Sequence, residues 1–489
     1  MYLGMNFGTA SANVVLVGPD GAVVAGATAA VQPAGPGTGG RFEQNLEEYY
    51  AGALAAIRQV GTQADLSKIQ AIGVAAQGGA MQMLDFRHKP MGALVSPRDE
   101  RGRELFQRLR RLWGLQELAG LTGLDRTNTP LGQLLHLHAH RPLVLGPPNG
   151  VGFLGDVIVG RLCGRRAHDA TSLSATGLYN PRRRKVEPRL LEELELGRDR
   201  LPALLGPRDP AGKVRKDVSR HTLLPAGVPV SPAVDIRYAA ALAARVTAAG
   251  EALLLAGGAW TLLAVAGRLA EPLPNGAVCQ HLVDGLVGHL VGLELAHSAV
   301  GWALDQLNLR AGSPEEIAAM VAAAGAGSAG LRFQLRRSDT QEDLPPGAPG
   351  RLVNATGDHK TGHGLRAIIE ALAMELACRL RELAERGVKV SRLTVVGRSP
   401  ASLAVPQIVA DVTGLPVAWG LEGDPAATGA AILARGLLER RKSLADLAHQ
   451  MTGEPKVINP GPDAGDYPRL VEEYAAAKAA EPGQGTTGR

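Results

Sequence analysis

The stretch MYLGMNFGTASANVVLVGPDGAVVAG (residues 1–26) opens the chain and predicts a β-hairpin followed by a second tight turn. Small and apolar residues lead into the turn-forming Asn6-Phe7-Gly8-Thr9, and a run rich in valine follows at 14–17. A Gly-Thr turn directly after a strand exposes backbone N–H groups that can hold phosphate oxygens. Asn6 stands where a carboxylate would be the natural residue to hold a metal ion beside a polyphosphate.

The composition excludes several classes of protein. At 489 residues, 45% of them hydrophobic, the chain is long enough for two globular domains. Its net charge is only +5 and its aromatic content is 3%. Nucleic-acid binding needs clustered positive charge, preferably with aromatic residues for stacking. We therefore expect no nucleic-acid partner.

Cysteine usage and hydropathy indicate a cytoplasmic protein without a membrane anchor. Cys163, Cys279 and Cys378 are widely separated and form neither a metal-ligand spacing nor a disulfide framework, which fits a reducing compartment. The N-terminus enters its first strand without a basic leader. The longest apolar stretch, 251–267, is interrupted by Gly257-Gly258 and predicts two buried strands around a turn rather than a membrane span.

Two parts of the chain repeat a similar plan. The first continues from the opening hairpin through a helical pattern at 46–60 to a strand, turn and strand at 69–85. The second contains the apolar stretch 251–267, a long helical pattern at 363–387 and a strand, turn, helix and strand at 390–417. The sequence therefore predicts two α/β domains of related plan, hinged near residue 230.

Three glycine turns after predicted strands are candidates for holding phosphate. They are Gly8-Thr9, Gly257-Gly258 and Gly397-Arg398. Any tight turn uses glycine, so each is weak alone, and their order and separation make the stronger case.

Asp235 is the most informative carboxylate. It follows the strand-like GVPV and precedes a run of small residues at 238–246, which places it at a helix N-terminus. Such a position could line a cleft between domains. A plain helix cap is the alternative, because Asp is a preferred N-cap residue.

Taken together, these patterns resemble the FGGY carbohydrate kinases, with the xylulokinase-like branch nearest. The resemblance covers roughly residues 1–475 and rests on eight segments in order. They are GMNFGTASANVVLVGPDGAVV, GRFEQNLEEYYAGALAAI, AIGVAAQGGAMQMLD, RDERGRE, GVPVSPAVDIRYAAALAA, HGLRAIIEALAMEL, QIVADVTGLPV and DPAATGAAILA.

The resemblance implies an α/β fold of two ribonuclease H-like (actin-like ATPase) domains flanking a hinged cleft. It implies phosphoryl transfer from ATP, with Mg2+, to a hydroxyl of a small-molecule sugar or polyol, and Asp235 as the general base. We expect an N-terminal sugar-binding domain at 1–230, a C-terminal nucleotide-binding domain at 231–440 and a helical segment with a disordered tail at 441–489. Since many family members are dimers, a homodimer is also compatible with the resemblance.

The resemblance also assigns the remaining site residues. The residues expected to bind the cofactor are Asn6, Gly8, Thr9, Gly257, Gly258, Gly397 and Arg398, and Asn6 is also the expected metal residue. The residues expected to bind the substrate are Gln77, Gly78, Gly79, Asp99 and Asp235. For Asp99 the alternative is a surface ion pair with Arg101 or Arg103.

Several positions depart from the family pattern. Asn6 replaces the metal-associated aspartate, and Gly78-Gly79 replaces the Met-His of xylulokinases. The second phosphate turn continues into Ala259 and Trp260, and Arg398 replaces a glycine of the adenosine-side turn. Four residues separate Val230 from Asp235, whereas the family usually has five, so matching Asp235 to the family's aspartate requires a one-residue deletion in this chain.

These departures leave three functions open. The first is a sugar kinase with an unusual site. The second is a catalytically inactive relative that binds a sugar or acts in regulation, and the third is the same fold with a different phosphoryl donor or acceptor.

Overall fold

The computed structural model describes residues 1–126, 129–257, 259–293, 298–336, 348–397 and 401–480. By compactness the chain forms two units. Unit 1 consists of Met1–Ala248, Gly267–His289 and Glu422–Gly453, and unit 2 of Ala249–Ala266, Leu290–Leu421 and the described residues from Glu454 onward. Residues 231–248 thus fall in unit 1 by compactness, while the predicted domain division at residue 230 stays a prediction. The tail predicted to be disordered, 481–489, lies outside the described residues.

Unit 1 is built on a mixed sheet. Its order is Ala203–Leu204, Ala167–His168, Pro229–Asp235, Ala71–Ala76, Tyr2–Phe7, Ser11–Val17 and Val23–Ala30, with Gly212–Lys213 also paired to Pro229–Asp235. The first five strands run parallel to their neighbours, and the last two extend the sheet as the antiparallel hairpin predicted from residues 1–26. A smaller sheet has the order Gly35–Pro36, Phe42–Gln44, Leu94–Val95, Met81–Leu84 and Gly150–Phe153.

The helices of unit 1 pack around these sheets. Their bounds are Leu46–Gln63, Arg103–Trp113, Leu115–Thr122, Pro130–His140, Pro142–Leu145, Leu154–Cys163, Ala170–Ser174, Pro188–Glu193, Lys216–Thr222, Ile236–Ala243, Pro425–Leu438 and Leu444–Met451. Short 3-10 turns occupy Thr38–Gly40, Leu66–Lys68 and Arg198–Arg200, and further strands occupy Tyr179–Asn180, Lys185–Val186 and Gly276–Gln280.

Unit 2 has a sheet of the order Thr261–Ala266, Glu251–Leu255, Arg392–Val396, Val417–Trp419 and Lys456–Ile458. The predicted pair of buried strands at 251–267 is present as an antiparallel hairpin. The remaining strands are Arg332–Leu335 and Gly350–Val353, while Val287–Gly292 begins in unit 1 and ends in unit 2. The helices are Ala299–Gln306, Pro314–Ala323, Thr361–Glu385, Val405–Thr413 and Tyr467–Ala480, with 3-10 turns at Ala326–Gly330 and Pro462–Gly465.

A buried carboxylate fixes the C-terminal helix of unit 2. Glu370, on the long helix of this unit, accepts hydrogen bonds from Gly327 N (2.9 Å), Arg366 Nε (2.9 Å) and the Tyr467 hydroxyl (2.7 Å). A buried carboxylate is tolerated where several donors replace its hydration. The network therefore holds the start of the helix Tyr467–Ala480 against the long helix.

The described helices include none whose length and apolar character would allow it to cross a membrane.

Helix Pro425–Leu438 packs so closely against the main sheet of unit 1 that its backbone contacts the backbone of the strands. A Cβ atom on Gly4 or Gly73, in the two strands beneath it, would stand within 1.9 Å of a carbonyl oxygen of this helix. A Cβ atom on Gly429 would stand 1.8 Å from the carbonyl oxygen of Ala239 in the neighbouring helix. Since real Cβ contacts are never this short, only glycine permits the helix to approach so closely.

We therefore expect Gly73→Ala to lower the thermal unfolding midpoint by about 2–5 °C, because overpacking costs roughly 1–3 kcal/mol where backbone cannot move aside. Gly120→Ala is the matched control. Gly120 lies within helix Leu115–Thr122 and its Cβ position meets no atom within 4 Å, so alanine there leaves the midpoint unchanged or slightly raised. Equal midpoints for the two variants would contradict the close helix contact.

Candidate active site

Candidate site residues of unit 1 meet at one edge of its main sheet. In the paired registers, Phe7 and Asp235 both stand opposite Ala76 on the central parallel strand. The chain segments that follow these strand ends include Gly8 and Gln77. Carboxyl ends of parallel strands share one edge of a sheet, which is where ligands bind in open α/β sheets. The structure thus brings together the predicted phosphate turn, the predicted sugar-binding segment and the predicted base.

A network of hydrogen bonds from buried side chains holds the Gly8-Thr9 turn in place. The Tyr49 hydroxyl donates to the Gly8 carbonyl oxygen (3.0 Å), and Gln44 Nε2 donates to the Thr9 carbonyl oxygen (3.0 Å). Gln77 Nε2 donates in turn to the Tyr49 hydroxyl (3.0 Å) and to Gln44 Oε1 (3.2 Å). Gln77, expected to contact substrate, therefore also positions the turn. Gln44 and Tyr49 were missed as candidates, although they stand in GRFEQNLEEYYAGALAAI, one of the eight segments that resemble the family.

Asn6 pairs with a carboxylate from the far end of the chain. Its Nδ2 donates to both oxygens of Asp424 (3.1 and 2.9 Å), and both side chains are buried. Asp424 also caps helix Pro425–Leu438 by accepting from the Ala427 amide (2.9 Å). This pairing sets the orientation of the amide, because turning it over would face Oδ1 towards the carboxylate. Asn6 Oδ1 is left buried without a hydrogen-bond partner among the described residues.

The Asn6–Asp424 pair fits a magnesium ion. The described ranges contain no group of three or more His, Cys, Asp or Glu side chains that could hold a metal. Mg2+ usually keeps several waters and takes one or two carboxylates together with substrate phosphates. The unpartnered Asn6 Oδ1 and the neighbouring Asp424 carboxylate are oxygen ligands of that kind. Asp424 also supplies the negative charge that Asn6 lacks.

Asp235 caps a helix and forms an ion pair. It precedes helix Ile236–Ala243, and its Oδ1 accepts from the Arg237 amide (2.9 Å) and from Arg237 Nε (2.8 Å), while Oδ2 accepts from Arg237 Nη2 (2.6 Å). The helix cap expected from the sequence is therefore present. A Cβ atom on Gly78 would lie 2.4 Å from Asp235 Oδ2, so the pair requires glycine at this position. Gly79, with φ +80, needs glycine for its backbone conformation.

Two further charged residues near Asp235 were missed as candidates. Arg126 lies near enough for the charges of Arg237 and Asp235 to act on it, and burial with the Arg237 charge lowers the pKa of Arg126 to about 10. Asp169 accepts from the Thr171 hydroxyl (2.7 Å), whose oxygen in turn accepts from the Asp235 amide (2.9 Å). Burial raises the pKa of Asp169 to about 7. Arg237 was visible two residues from Asp235, whereas the sequence gives no signal that links Arg126 or Asp169 to this site.

The carboxylate of Asp99 is surrounded by donors. It accepts from both Nε and Nη2 of Arg101, from the Phe42 amide (3.0 Å) and from Gln133 Nε2 (3.0 Å). The expected ion pair with Arg101 is present, but the expectation of a surface pair is wrong, because Asp99 is only 2% exposed. A contact between Asp99 and the substrate stays a prediction.

The two predicted turns of unit 2 are neighbours. Gly257 and Gly397 each follow a strand, and those strands are paired in parallel with Leu255 opposite Val396. Both glycines are exposed, and a Cβ atom on Gly397 would lie 2.9 Å from the Ala256 carbonyl oxygen. These exposed backbone turns at one sheet edge fit a phosphate-bearing nucleotide.

Two other predicted cofactor residues, Gly258 and Arg398, lie outside the described residues. Trp260, which is expected from the sequence to stand in place of a family glycine, is 1% exposed and packs inside unit 2.

We expect Asn6→Asp to destabilise the protein, because it places two carboxylates within hydrogen-bond distance and one must take up a proton. The cost at pH 8 is on the order of 2 kcal/mol and shrinks in acid. The exchange Asn6→Asp with Asp424→Asn restores one amide and one carboxylate, keeps a good helix cap and recovers most of the thermal midpoint. Asn45→Asp, an exposed helix cap, is the control. A double variant no more stable than Asn6→Asp alone would refute the pairing.

We expect Asp169 to make stability fall as the pH rises. The unfolded chain releases this proton near pH 4, whereas the folded state holds it up to about pH 7. Its ionisation therefore costs stability progressively between about pH 4 and 7, and by pH 8 Asp169→Asn is the more stable form by on the order of 3 kcal/mol. Thermal midpoints of the wild type, Asp169→Asn and the exposed control Asp199→Asn from pH 5 to 8 measure this. A constant difference between wild type and Asp169→Asn would contradict the raised pKa.

Comparison with known proteins places the chain in a family. The model of the FGGY family of carbohydrate kinases matches with its N-terminal domain over residues 1–242 and with its C-terminal domain over residues 253–435. Xylulose kinase from Escherichia coli (strain K12) is 26% identical over 474 residues, which cover 96% of each chain. Xylulose kinase from Klebsiella pneumoniae is 26% identical over 438 residues, which cover 89% of each chain.

Solved structures agree with this placement. The crystal structure of xylulose kinase from Rhodospirillum rubrum matches with a TM-score of 0.84 at 25% identity and covers 98% of each chain. The predicted α/β class, with two domains of the actin-like ATPase type, is thereby confirmed. Because the two family domains together match most of residues 1–435, the chain belongs to the FGGY family of carbohydrate kinases.

Proposed function

We propose that this kinase phosphorylates a hydroxyl group of a sugar or polyol with ATP and Mg2+, and that Asp235 is the general base. The observation that carries the proposal is the place of Asp235, at the same sheet edge as the Gly8-Thr9 turn and the Gln77–Gly79 segment. A carboxylate there can accept the proton of a bound hydroxyl.

The proposed roles of the other residues follow from their surroundings. ATP supplies the phosphoryl group: a bond forms between the sugar oxygen and the γ-phosphorus, the bond to the β–γ bridging oxygen breaks, and ADP leaves. Asn6 and Asp424 would hold Mg2+, and the turns at Gly8, Gly257 and Gly397 would bind phosphate oxygens through backbone N–H groups. Phosphoryl transfer depends mainly on positioning and electrostatic stabilisation, which fixed backbone donors supply.

Arg237 gives Asp235 a single orientation. Its bidentate contact holds both carboxylate oxygens, and the Gly78 backbone packs beside Oδ2, where a Cβ atom would lie only 2.4 Å from that oxygen. The base is therefore positioned before a substrate binds, which lowers the entropic cost of the reactive arrangement.

A catalytically inactive, sugar-binding protein is the second candidate. The observation that favours it is the same ion pair, since both oxygens of the Asp235 carboxylate already accept hydrogen bonds.

Steady-state ADP release with a panel of ketoses, aldoses, polyols and sugar acids separates the two candidates. We expect turnover with at least one of them, and a loss of about 100-fold or more in kcat for Asp235→Asn. Asp217→Asn, a carboxylate in an exposed ion pair with Arg215, keeps the wild-type rate. Saturable sugar binding without ADP release, together with no binding of Mg-ATP by calorimetry, would support the inactive protein and overturn the kinase.

A further inference from the structure

The surroundings of Asp235 carry more positive than negative charge. Arg237 uses Nε and Nη2 to hold the carboxylate. A guanidinium group has five N–H donors, so this fork leaves N–H groups of Arg237 for a further acceptor. Only 16% of the Arg237 side chain is exposed, and the Asp235 side chain is fully buried. A second anion could therefore bind Arg237 without displacing Asp235.

Arg126 adds a second cation with an unsatisfied donor. Its Nε is buried and has no hydrogen-bond partner among the described residues. A pKa of about 10 leaves Arg126 charged at neutral pH. A buried donor without a partner costs free energy, and such a group at a functional site indicates a ligand that completes it.

The nearby carboxylate Asp169 does not balance these charges. Its Oδ1 already accepts from the Thr171 hydroxyl and the Ser172 amide. With a pKa of about 7, it carries only part of a negative charge at neutral pH. Arg237 thus already holds both oxygens of the Asp235 carboxylate, and Arg126 is a second cation near this pair.

The geometry favours a role for these arginines in binding the phosphoryl acceptor, the sugar, over a role in binding the phosphates of ATP. The Gly8 turn follows the strand that lies two places from Asp235 in the sheet, which is about 10 Å at the usual spacing between strands. Gly78 stands directly beside the pair, where a Cβ atom would lie 3.2 Å from Arg237 Nη2. Backbone atoms of the Gln77–Gly79 segment, and not a larger side chain, therefore border the Asp235–Arg237 pair on this side.

We propose that Arg126 and Arg237 bind the carboxylate of a sugar acid, and that the substrates of this kinase are aldonates rather than neutral sugars. The inference rests on the proposed function for the reaction, but the carboxylate site itself can be tested by binding alone. A neutral polyol would leave Arg126 Nε unpartnered, whereas a carboxylate would complete both guanidinium groups with charge-assisted hydrogen bonds.

Matched pairs of ligands test the proposal. Calorimetry compares D-gluconate with D-glucitol and D-xylonate with xylitol, pairs that differ only in whether one end of the carbon chain is a carboxylate. The wild type should bind at least one aldonate about 10- to 100-fold more tightly than its alditol, the range expected for a charge-assisted hydrogen bond. Arg126→Met should abolish this preference, and Arg126→Lys should keep part of it.

The control is Arg58→Met, on the exposed face of helix Leu46–Gln63, which should bind aldonates as the wild type does. We expect Arg126→Met to fold, because within the described part of the chain Arg126 Nε has no hydrogen bond that methionine would remove. We expect the thermal midpoint of Arg126→Met to equal or exceed that of the wild type. The aldonate should raise the midpoint of the wild type and leave that of Arg126→Met unchanged.

Kinetics separate this inference from the proposed function. Aldonate binding that depends on Arg126, without turnover of any substrate, would support the carboxylate site and overturn the kinase proposal. Turnover of ketoses or alditols with no binding of either aldonate would overturn the carboxylate site and leave the kinase. An equal fall in kcat for acidic and neutral substrates in Arg126→Met would assign Arg126 to the transferred phosphoryl group and also overturn the inference.

Discussion

At Gly4 and Gly73, in the two central strands of the unit 1 sheet, no side chain larger than hydrogen fits beneath helix Pro425–Leu438, because carbonyl oxygens of the helix lie within 1.9 Å of the Cβ positions. This backbone contact joins residues from opposite ends of the chain. It brings Asp424, the cap of the helix, onto Asn6 near the end of the first strand. The ends of the same two strands lead into the Gly8 turn and the Gln77–Gly79 segment, so one packing constraint determines much of the candidate site.

Charge is distributed unevenly along the edge of the unit 1 sheet where the parallel strands end. At Asn6 the chain has an uncharged amide, and the Asp424 carboxylate lies within hydrogen-bond distance of it. At Asp235 the carboxylate is held by Arg237, and Arg126 is a second cation near enough for the charges of this pair to act on it.

The sequence predicted those features that depend on neighbours along the chain. The opening hairpin, the strand pair at 251–267 and the helix cap at Asp235 all follow from local pattern, and all are present. The partner of Asn6 could not be predicted, because Asp424 is 418 residues away and looks like an ordinary helix cap. The burial of Asp99 was missed for the same reason, since its donors come from Phe42 and Gln133. Local sequence identifies a charged residue, whereas its burial and charge balance depend on tertiary packing.

In the proposed complex a substrate hydroxyl contacts Asp235 while an acidic group of the same molecule contacts Arg126 and Arg237. The most direct measurement is a crystal structure of the kinase with D-gluconate or D-xylonate and a non-hydrolysable ATP analogue with Mg2+. We expect a ligand carboxylate within hydrogen-bond distance of both guanidinium groups and a ligand hydroxyl within that distance of Asp235 Oδ2. An aldonate whose carboxylate lies away from both arginines, with no hydroxyl at Asp235, would contradict it.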